Sequence, residues 1–136
     1  MRTPLKNGTM IQLHEIGTNK SYDFKITETV GMGGSCIVYT AVYKDFEGNS
    51  FHVRLKEFYP EWLNMIREDN FLHTADKAAF DEAMLQFTDG YQKQMQFREL
   101  PESMNSIANI QGIYEGNGTK YIAMSCQNAV LLTMRI

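Results

Sequence analysis

The chain has 136 residues, of which 43% are hydrophobic and 21% charged, and its formal net charge is −3. This length fits one domain with a single core, and the composition excludes a wholly disordered chain. Thirteen basic and 16 acidic residues do not favour binding to nucleic-acid phosphates. No apolar run approaches the roughly 20 residues that span a bilayer, and residues 1–10 lack a signal-peptide stretch. We therefore expect a cytoplasmic protein with no nucleic-acid partner and no membrane segment.

The two cysteines, Cys36 and Cys126, cannot form a disulfide-dense scaffold, so we expect free thiols. No histidine is placed near either cysteine by the sequence, which argues against a thiol enzyme because a catalytic cysteine needs a base or a lowered pKa. The three histidines share no ligand spacing with each other or with the cysteines, so no metal site is predicted.

After an N-terminal extension, residues 1–20, the segment 22–59 has the pattern of three strands. Tyr22 to Val30 and Phe51 to Phe58 alternate between apolar and polar residues, which is the period of a half-buried strand. Cys36 to Tyr43 between them is rich in β-branched and aromatic residues. These three strands and the two turns between them predict an antiparallel meander.

The period changes over residues 60–100. Pro60 suits the first turn of a short helix, and apolar residues then recur every three or four positions from Phe80 to Met95, which predicts one long helix. Two further strands are predicted over 107–124, joined at Asn117-Gly118, and residues 125–136 form a tail. The predicted fold is therefore α+β: a five-stranded antiparallel sheet with one long helix.

Two features of the first three strands favour phosphate chemistry. The cluster Gly31-Met32-Gly33-Gly34 lies between two strands, where glycines let a backbone approach a phosphate, although they also suit a plain tight turn. It is neither a dinucleotide fingerprint nor a Walker A loop, because a strand follows it and no Gly-Lys-Ser/Thr closes it. Lys56 on the third predicted strand carries a compact positive charge that can pair with phosphates. Alternatively, it is an ordinary lysine that keeps an edge strand soluble.

The order of these blocks resembles the small, nucleotide-binding lobe of bacterial-type serine/threonine protein kinases. GMGGSCIVY at 31–39 is similar to their glycine loop, VRLKEFYP at 53–60 to their VAIK segment, and GIYEGNGTKYIAM at 112–124 to their fourth and fifth strands. The resemblance covers most of the chain, and it implies that the long helix is the regulatory helix of the lobe.

The resemblance also implies a role for individual residues in binding ATP. It implies that Gly31, Gly33 and Gly34 form the loop over the phosphates and that Val38 covers the adenine. Lys56 would bind the phosphates, and Met124 would be the gatekeeper. The hinge would consist of Ser125, Cys126 and Gln127.

Three residues depart from the family pattern. Cys36 replaces the last glycine of the loop, and Arg54 stands where a small side chain faces the adenine. The family's helix glutamate, which pairs with the lysine, corresponds to Gln94, with Glu82 and Glu99 as alternatives. Arg54 decides between two functions, because nucleotide can bind only if its guanidinium points away from the adenine site.

A fourth departure is that no His-Arg-Asp or Asp-Phe-Gly motif follows the gatekeeper. We therefore expect no catalytic residue in this chain, ATP binding that is weak at best, and magnesium binding only together with a second lobe. The alternative is a degenerate, pseudokinase-like interaction module with no nucleotide. Its partner would be another protein or a second copy, on the surface that a second lobe would cover. An unrelated α+β binding domain remains a third reading.

Overall fold

A computed structural model describes residues 2–96 and 110–125 of the chain, with side chains described up to residue 92 of the helix. Eight strands, one 3-10 helix at Glu61–Leu63 and one α-helix are present in these residues. Their bounds are β1 Met10–Glu15, β2 Ser21–Met32, β3 Cys36–Lys44, β4 Ser50–Phe58, β5 Ile66–Glu68, β6 Phe71–His73, α1 Lys77–Gln96, β7 Ile110–Gly116 and β8 Thr119–Ser125.

Six strands form a closed antiparallel barrel in the order β1-β2-β3-β4-β8-β7. The predicted five-stranded sheet is wrong, because β1 adds a sixth strand from within the expected N-terminal extension. This strand pairs with β2 on one side and, through His14 with Glu115 and Glu15 with Tyr114, with β7 on the other. Closure removes the two free edges that a five-stranded sheet would expose to other strands.

The barrel interior holds the main core. Inward-facing residues alternate along the strands with outward-facing ones because successive side chains of a strand point to opposite faces. On β4, for example, Val53 and Leu55 are fully buried whereas His52 and Arg54 are exposed. Burying each large apolar side chain stabilises the barrel by about 1.5–3 kcal/mol. The other buried strand residues of this core are Ile11, Leu13, Phe24, Ile26, Ile37, Tyr39, Ala41, Phe58, Leu72, Tyr114, Tyr121 and Ala123.

The segment after β4 differs from the helical segment expected over 60–100. Only a single 3-10 turn follows Pro60, and β5 and β6 then form a two-stranded hairpin. Asp69 in the hairpin turn has a left-handed backbone (φ 55°), a conformation that aspartate tolerates better than most residues. Helix α1 begins only after Asp76, whose carboxylate accepts a hydrogen bond from the Ala79 amide at 3.0 Å and so caps the helix.

Helix α1 packs on the outside of the barrel and creates a second apolar cluster. Buried Ile110, Ile113 and Ile122 of β7 and β8 contact half-buried Phe87 and Tyr91 of the helix, together with Met124. This confirms the predicted apolar face of the helix. The outer face of β4 and β8 therefore lies next to α1.

The β7–β8 turn confirms the hairpin predicted at Asn117-Gly118. Both residues have positive φ, 53° and 78°, as a two-residue type I′ turn requires. A Cβ on Gly118 would lie only 2.5 Å from the Leu72 carbonyl oxygen, and the Leu72 amide donates to the Asn117 carbonyl at 2.8 Å. The turn thus needs glycine both for its backbone and for its contact with β6.

Within the described ranges, no helix combines the length and the hydropathy that crossing a membrane would need.

Candidate functional site

The strand register brings four of the predicted nucleotide-binding residues to one face. Val38 of β3 pairs with Lys56 of β4, and Arg54 pairs with Met124 of β8. Directly paired residues of antiparallel strands project to the same face, and Arg54 and Lys56 are two positions apart on one strand. We call this group, together with Tyr91 of α1, the outer-face site.

Tyr91 is the partner of Lys56. The lysine Nζ donates a hydrogen bond to the phenol oxygen at 2.8 Å and lies 5.3 Å from the centre of the ring. Phe87 holds the phenol ring edge-on, with 5.2 Å between the ring centres. The lysine therefore has a hydrogen bond and a cation–π contact, and its partner is not a carboxylate.

None of the three predicted lysine partners is seen in this role. The backbone of Gln94 belongs to α1, but its side chain is outside the described part, as is all of Glu99. Glu82 is exposed and makes no described ion pair with Lys56. The sequence pattern places Tyr91 on the apolar face of the helix, four residues after Phe87. The hydroxyl of this tyrosine was the available signal that the position also carries a polar group.

Arg54 is exposed on the same face as Lys56. The ion pairs among the described residues involve neither of these cations. The outer-face site thus presents two positive charges that no acidic side chain of the described ranges neutralises.

The glycine loop between β2 and β3 does not need glycine for its own fold. None of Gly31, Gly33 and Gly34 has a positive φ. A Cβ on Gly31 would meet nothing within 4 Å, whereas Cβ atoms on Gly33 and Gly34 would come no closer than 3.9 Å to the Cys36 carbonyl and 3.7 Å to the Glu61 carboxylate. Neither strain nor crowding within the chain explains these glycines, and the space beside them is open.

The chain after β4 holds the loop in place. The amides of Tyr59 and Glu61 donate to the carbonyls of Ser35 and Gly34 at 2.9 and 3.0 Å. Since the C=O and N–H of a trans peptide point in opposite directions, the Ser35 amide that follows the Gly34 carbonyl points away from Glu61. The loop therefore keeps a backbone donor on the side opposite its anchor.

Cys36 stands at the start of β3, next to this loop. Burial raises the pKa of its thiol, while the positive charges of Lys56 and Arg2 oppose that shift. The charge of the outer-face site thus reaches the loop. In the part of the chain that the structure describes, no group of three histidine, cysteine or acidic residues is placed to hold a metal ion.

Only part of the predicted gatekeeper and hinge is described. Met124 is half-buried against the second apolar cluster, and Ser125 pairs with Val53 at the end of β8. Cys126 and Gln127 lie outside the described residues.

A second charged centre, which the sequence pattern did not predict, lies inside the barrel. Glu57 is fully buried, and its carboxylate accepts hydrogen bonds from the hydroxyls of Tyr39 at 2.8 Å and Tyr121 at 2.6 Å, and from Arg67 Nη1 at 3.1 Å. Arg67 also donates from Nε to the Thr3 carbonyl at 2.7 Å, which ties the N-terminal segment to the hairpin. The available signal was the position of Glu57, two residues after an inward-facing leucine.

This interior cluster shifts the ionisation of its tyrosines. Burial, reinforced by the negative charge of Glu57, raises the pKa of Tyr39 and Tyr121 far above the usual value for a phenol. Both hydroxyls therefore stay protonated and can donate to the carboxylate.

Neither the models of known protein families nor the curated proteins include a match to this chain. Among solved structures, the chain is similar to the apo form of PpkA-294, a bacterial serine/threonine kinase fragment, with 23% sequence identity and a TM-score of 0.59. The match covers 75% of this chain and 34% of the other, so the chain spans about a third of that structure. At this identity the similarity is one of fold alone.

Proposed function

We propose that the outer-face site binds the phosphates of a nucleotide such as ATP, and that the chain is the nucleotide-binding module of a serine/threonine-kinase-like protein. The observation that carries this proposal is the pair of cations at Arg54 and Lys56, which no described acid neutralises, on one face of the barrel. Charged donors of this kind make strong hydrogen bonds to phosphate.

The surroundings of the two cations suit a nucleotide. Val38 lies beside Lys56 and Met124 beside Arg54, so apolar side chains for a base adjoin charged ones for phosphates. In this proposal Gly31, Gly33 and Gly34 leave room for the phosphates, and Ser125 borders the base. The proposal assigns no catalytic step to the chain, and any magnesium would depend on a second lobe.

Calorimetric titration with ATP tests the proposal. We expect saturable binding by the wild-type chain, and a loss of roughly tenfold or more for Lys56→Ala, since a charged hydrogen bond to phosphate is removed. Lys25→Ala is the matched control, because Lys25 is an exposed lysine on β2. Absence of saturable heat at millimolar ATP, or an equal loss in both variants, would contradict the proposal.

One observation favours the alternative, a pseudokinase-like interaction module that binds no nucleotide. The ammonium of Lys56 already has a hydrogen-bond partner and an aromatic ring in Tyr91 without any ligand. If this alternative holds, ATP leaves the chain unchanged, and sedimentation velocity detects self-association or the binding of a protein partner.

A further inference from the structure

The partner of Lys56 determines how much positive charge the outer-face site keeps. A phenol is uncharged at neutral pH, so the hydrogen bond from Lys56 to Tyr91 leaves the charge of the lysine in full. A carboxylate at the same place would cancel it. The contact is close, 2.8 Å between Nζ and the hydroxyl oxygen, and part-buried, so water screens it less than it would a surface pair.

Arg54 adds a second charge to the same face. It lies two residues before Lys56 on β4, it is exposed, and no described acid pairs with it. The salt bridges among the described residues lie elsewhere in the molecule, and they include the buried pair of Arg67 and Glu57. The outer-face site is therefore a place where positive charge collects in an otherwise acidic chain.

We infer that this site takes a nucleoside polyphosphate in its metal-free form, and that the neutral side chain of Tyr91 sets this preference. A bound divalent cation cancels part of the phosphate charge and so weakens the attraction to two cations with which no described acid forms an ion pair. In the metal-free ligand, Arg54 and Lys56 supply the neutralising charge that the metal otherwise supplies. This inference rests on the proposed function, whose site it uses.

The test compares ATP in excess EDTA with ATP in saturating Mg²⁺ at the same ionic strength, by titration calorimetry. We expect the wild-type chain to bind the metal-free form about tenfold more tightly. Tyr91→Phe keeps the ring and the charge of the site, so it should keep this ratio. Tyr91→Glu adds a negative charge beside Lys56 and should bring the ratio close to one.

A control variant separates the site from the overall charge of the protein. Leu85 lies on the same helix and is 65% exposed, so Leu85→Glu adds the same charge on the solvent side of α1. We expect it to leave the ratio unchanged. Because Tyr91 packs in the second apolar cluster, Tyr91→Glu is checked for folding by circular dichroism. Arg54→Glu, at an exposed position, also puts a negative charge into the site. We expect it to remove the preference for metal-free ATP as well.

The outcomes distinguish this inference from the proposed function. Equal or tighter binding of the Mg²⁺ form by the wild-type chain, with binding still lost in Lys56→Ala, overturns the inference and leaves the proposed function intact. An equal change of the ratio in Tyr91→Glu and Leu85→Glu overturns the role of Tyr91. No binding of either form overturns both proposals.

Discussion

Lys56 and Glu57 are neighbours in the sequence, yet they belong to two different charged regions of the molecule. Successive residues of a strand face opposite sides, so Lys56 lies on the outer face beside α1 and Glu57 points into the barrel. Glu57 has three hydrogen-bond donors, one of them the guanidinium of Arg67. Among the described residues, the side-chain partner of Lys56 is the neutral Tyr91.

The difference follows from the cost of removing a charge from water. A fully buried carboxylate must be paired and hydrogen-bonded, because an unpaired charge removed from water would destabilise the fold. A part-buried ammonium next to solvent has no such requirement and can keep its charge for a ligand. The interior cluster therefore serves stability, whereas no ion pair among the described residues involves the cations of the outer-face site.

The largest expected effect comes from breaking the interior pair. Arg67→Met leaves the Glu57 carboxylate buried without its cation, and we expect the free energy of unfolding to fall by about 3–5 kcal/mol. Lys56→Met should cost about 0.5–1.5 kcal/mol, because it removes one part-buried hydrogen bond outside the core. Urea denaturation followed by circular dichroism measures both. Similar losses in the two variants would contradict the distinction between the regions.

The interior region also predicts an alkaline limit to stability. The pKa values of Tyr39 and Tyr121 are raised in the folded state, whereas unfolded tyrosines ionise near pH 10.0. Above that pH the unfolded chain holds fewer protons than the folded one, so stability falls as pH rises, by up to about 1.4 kcal/mol per pH unit for each tyrosine.

The melting temperature, measured on either side of this pH, tests the prediction. Below it the contribution of both tyrosines is fully present, and above it we expect the melting temperature to drop. Tyr39→Phe should reduce the slope. A wild-type melting temperature that stays constant as the pH rises through the tyrosine range would rule out the raised pKa values.

A smaller effect separates two phenols, one from each region. Tyr121→Phe removes a hydrogen bond to a fully buried carboxylate and should destabilise the fold by about 1.5–3 kcal/mol. Tyr91→Phe removes one to an ammonium in a part-buried site, where water replaces some of the interaction, and should cost about 0.5–1.5 kcal/mol. Both changes keep the aromatic ring, so packing is matched. Chemical denaturation of the two variants side by side provides the measurement, and a larger loss in Tyr91→Phe would reverse our assignment of the two regions.

The smallest expected effect concerns the thiol beside the loop. The charge of Lys56 lowers the pKa of Cys36 against the larger effect of burial, so Lys56→Met should raise that pKa further and reduce the thiolate fraction. We expect alkylation of Cys36 at about pH 8 to slow by roughly two- to threefold. The rate is measured in a Cys126→Ser background, with Lys25→Met as the control. A faster reaction would show that Lys56 does not act on the thiol.

The candidate site was only partly predictable. The pattern of the strand was enough to place Arg54 and Lys56 on one face, because alternation along a strand is a local property, whereas Val38 joins them only through the register of β3 with β4. Their alignment with Met124 depends on the register between β4 and β8, which are more than sixty residues apart. Tyr91 was assigned to the core, since periodicity shows that a helix position faces inward but not which strand residue it meets.

The sequence by itself determined the local structure: the alternating strands, the apolar face of α1 and the Asn117-Gly118 turn, each set by the conformational preferences of neighbouring residues. Only the tertiary structure decided that β1 joins β7 and closes the barrel, that a hairpin follows β4, and that Arg67 compensates Glu57. These features depend on contacts between residues distant along the chain. Their energy comes from burial and pairing in the folded state, which no local pattern reports.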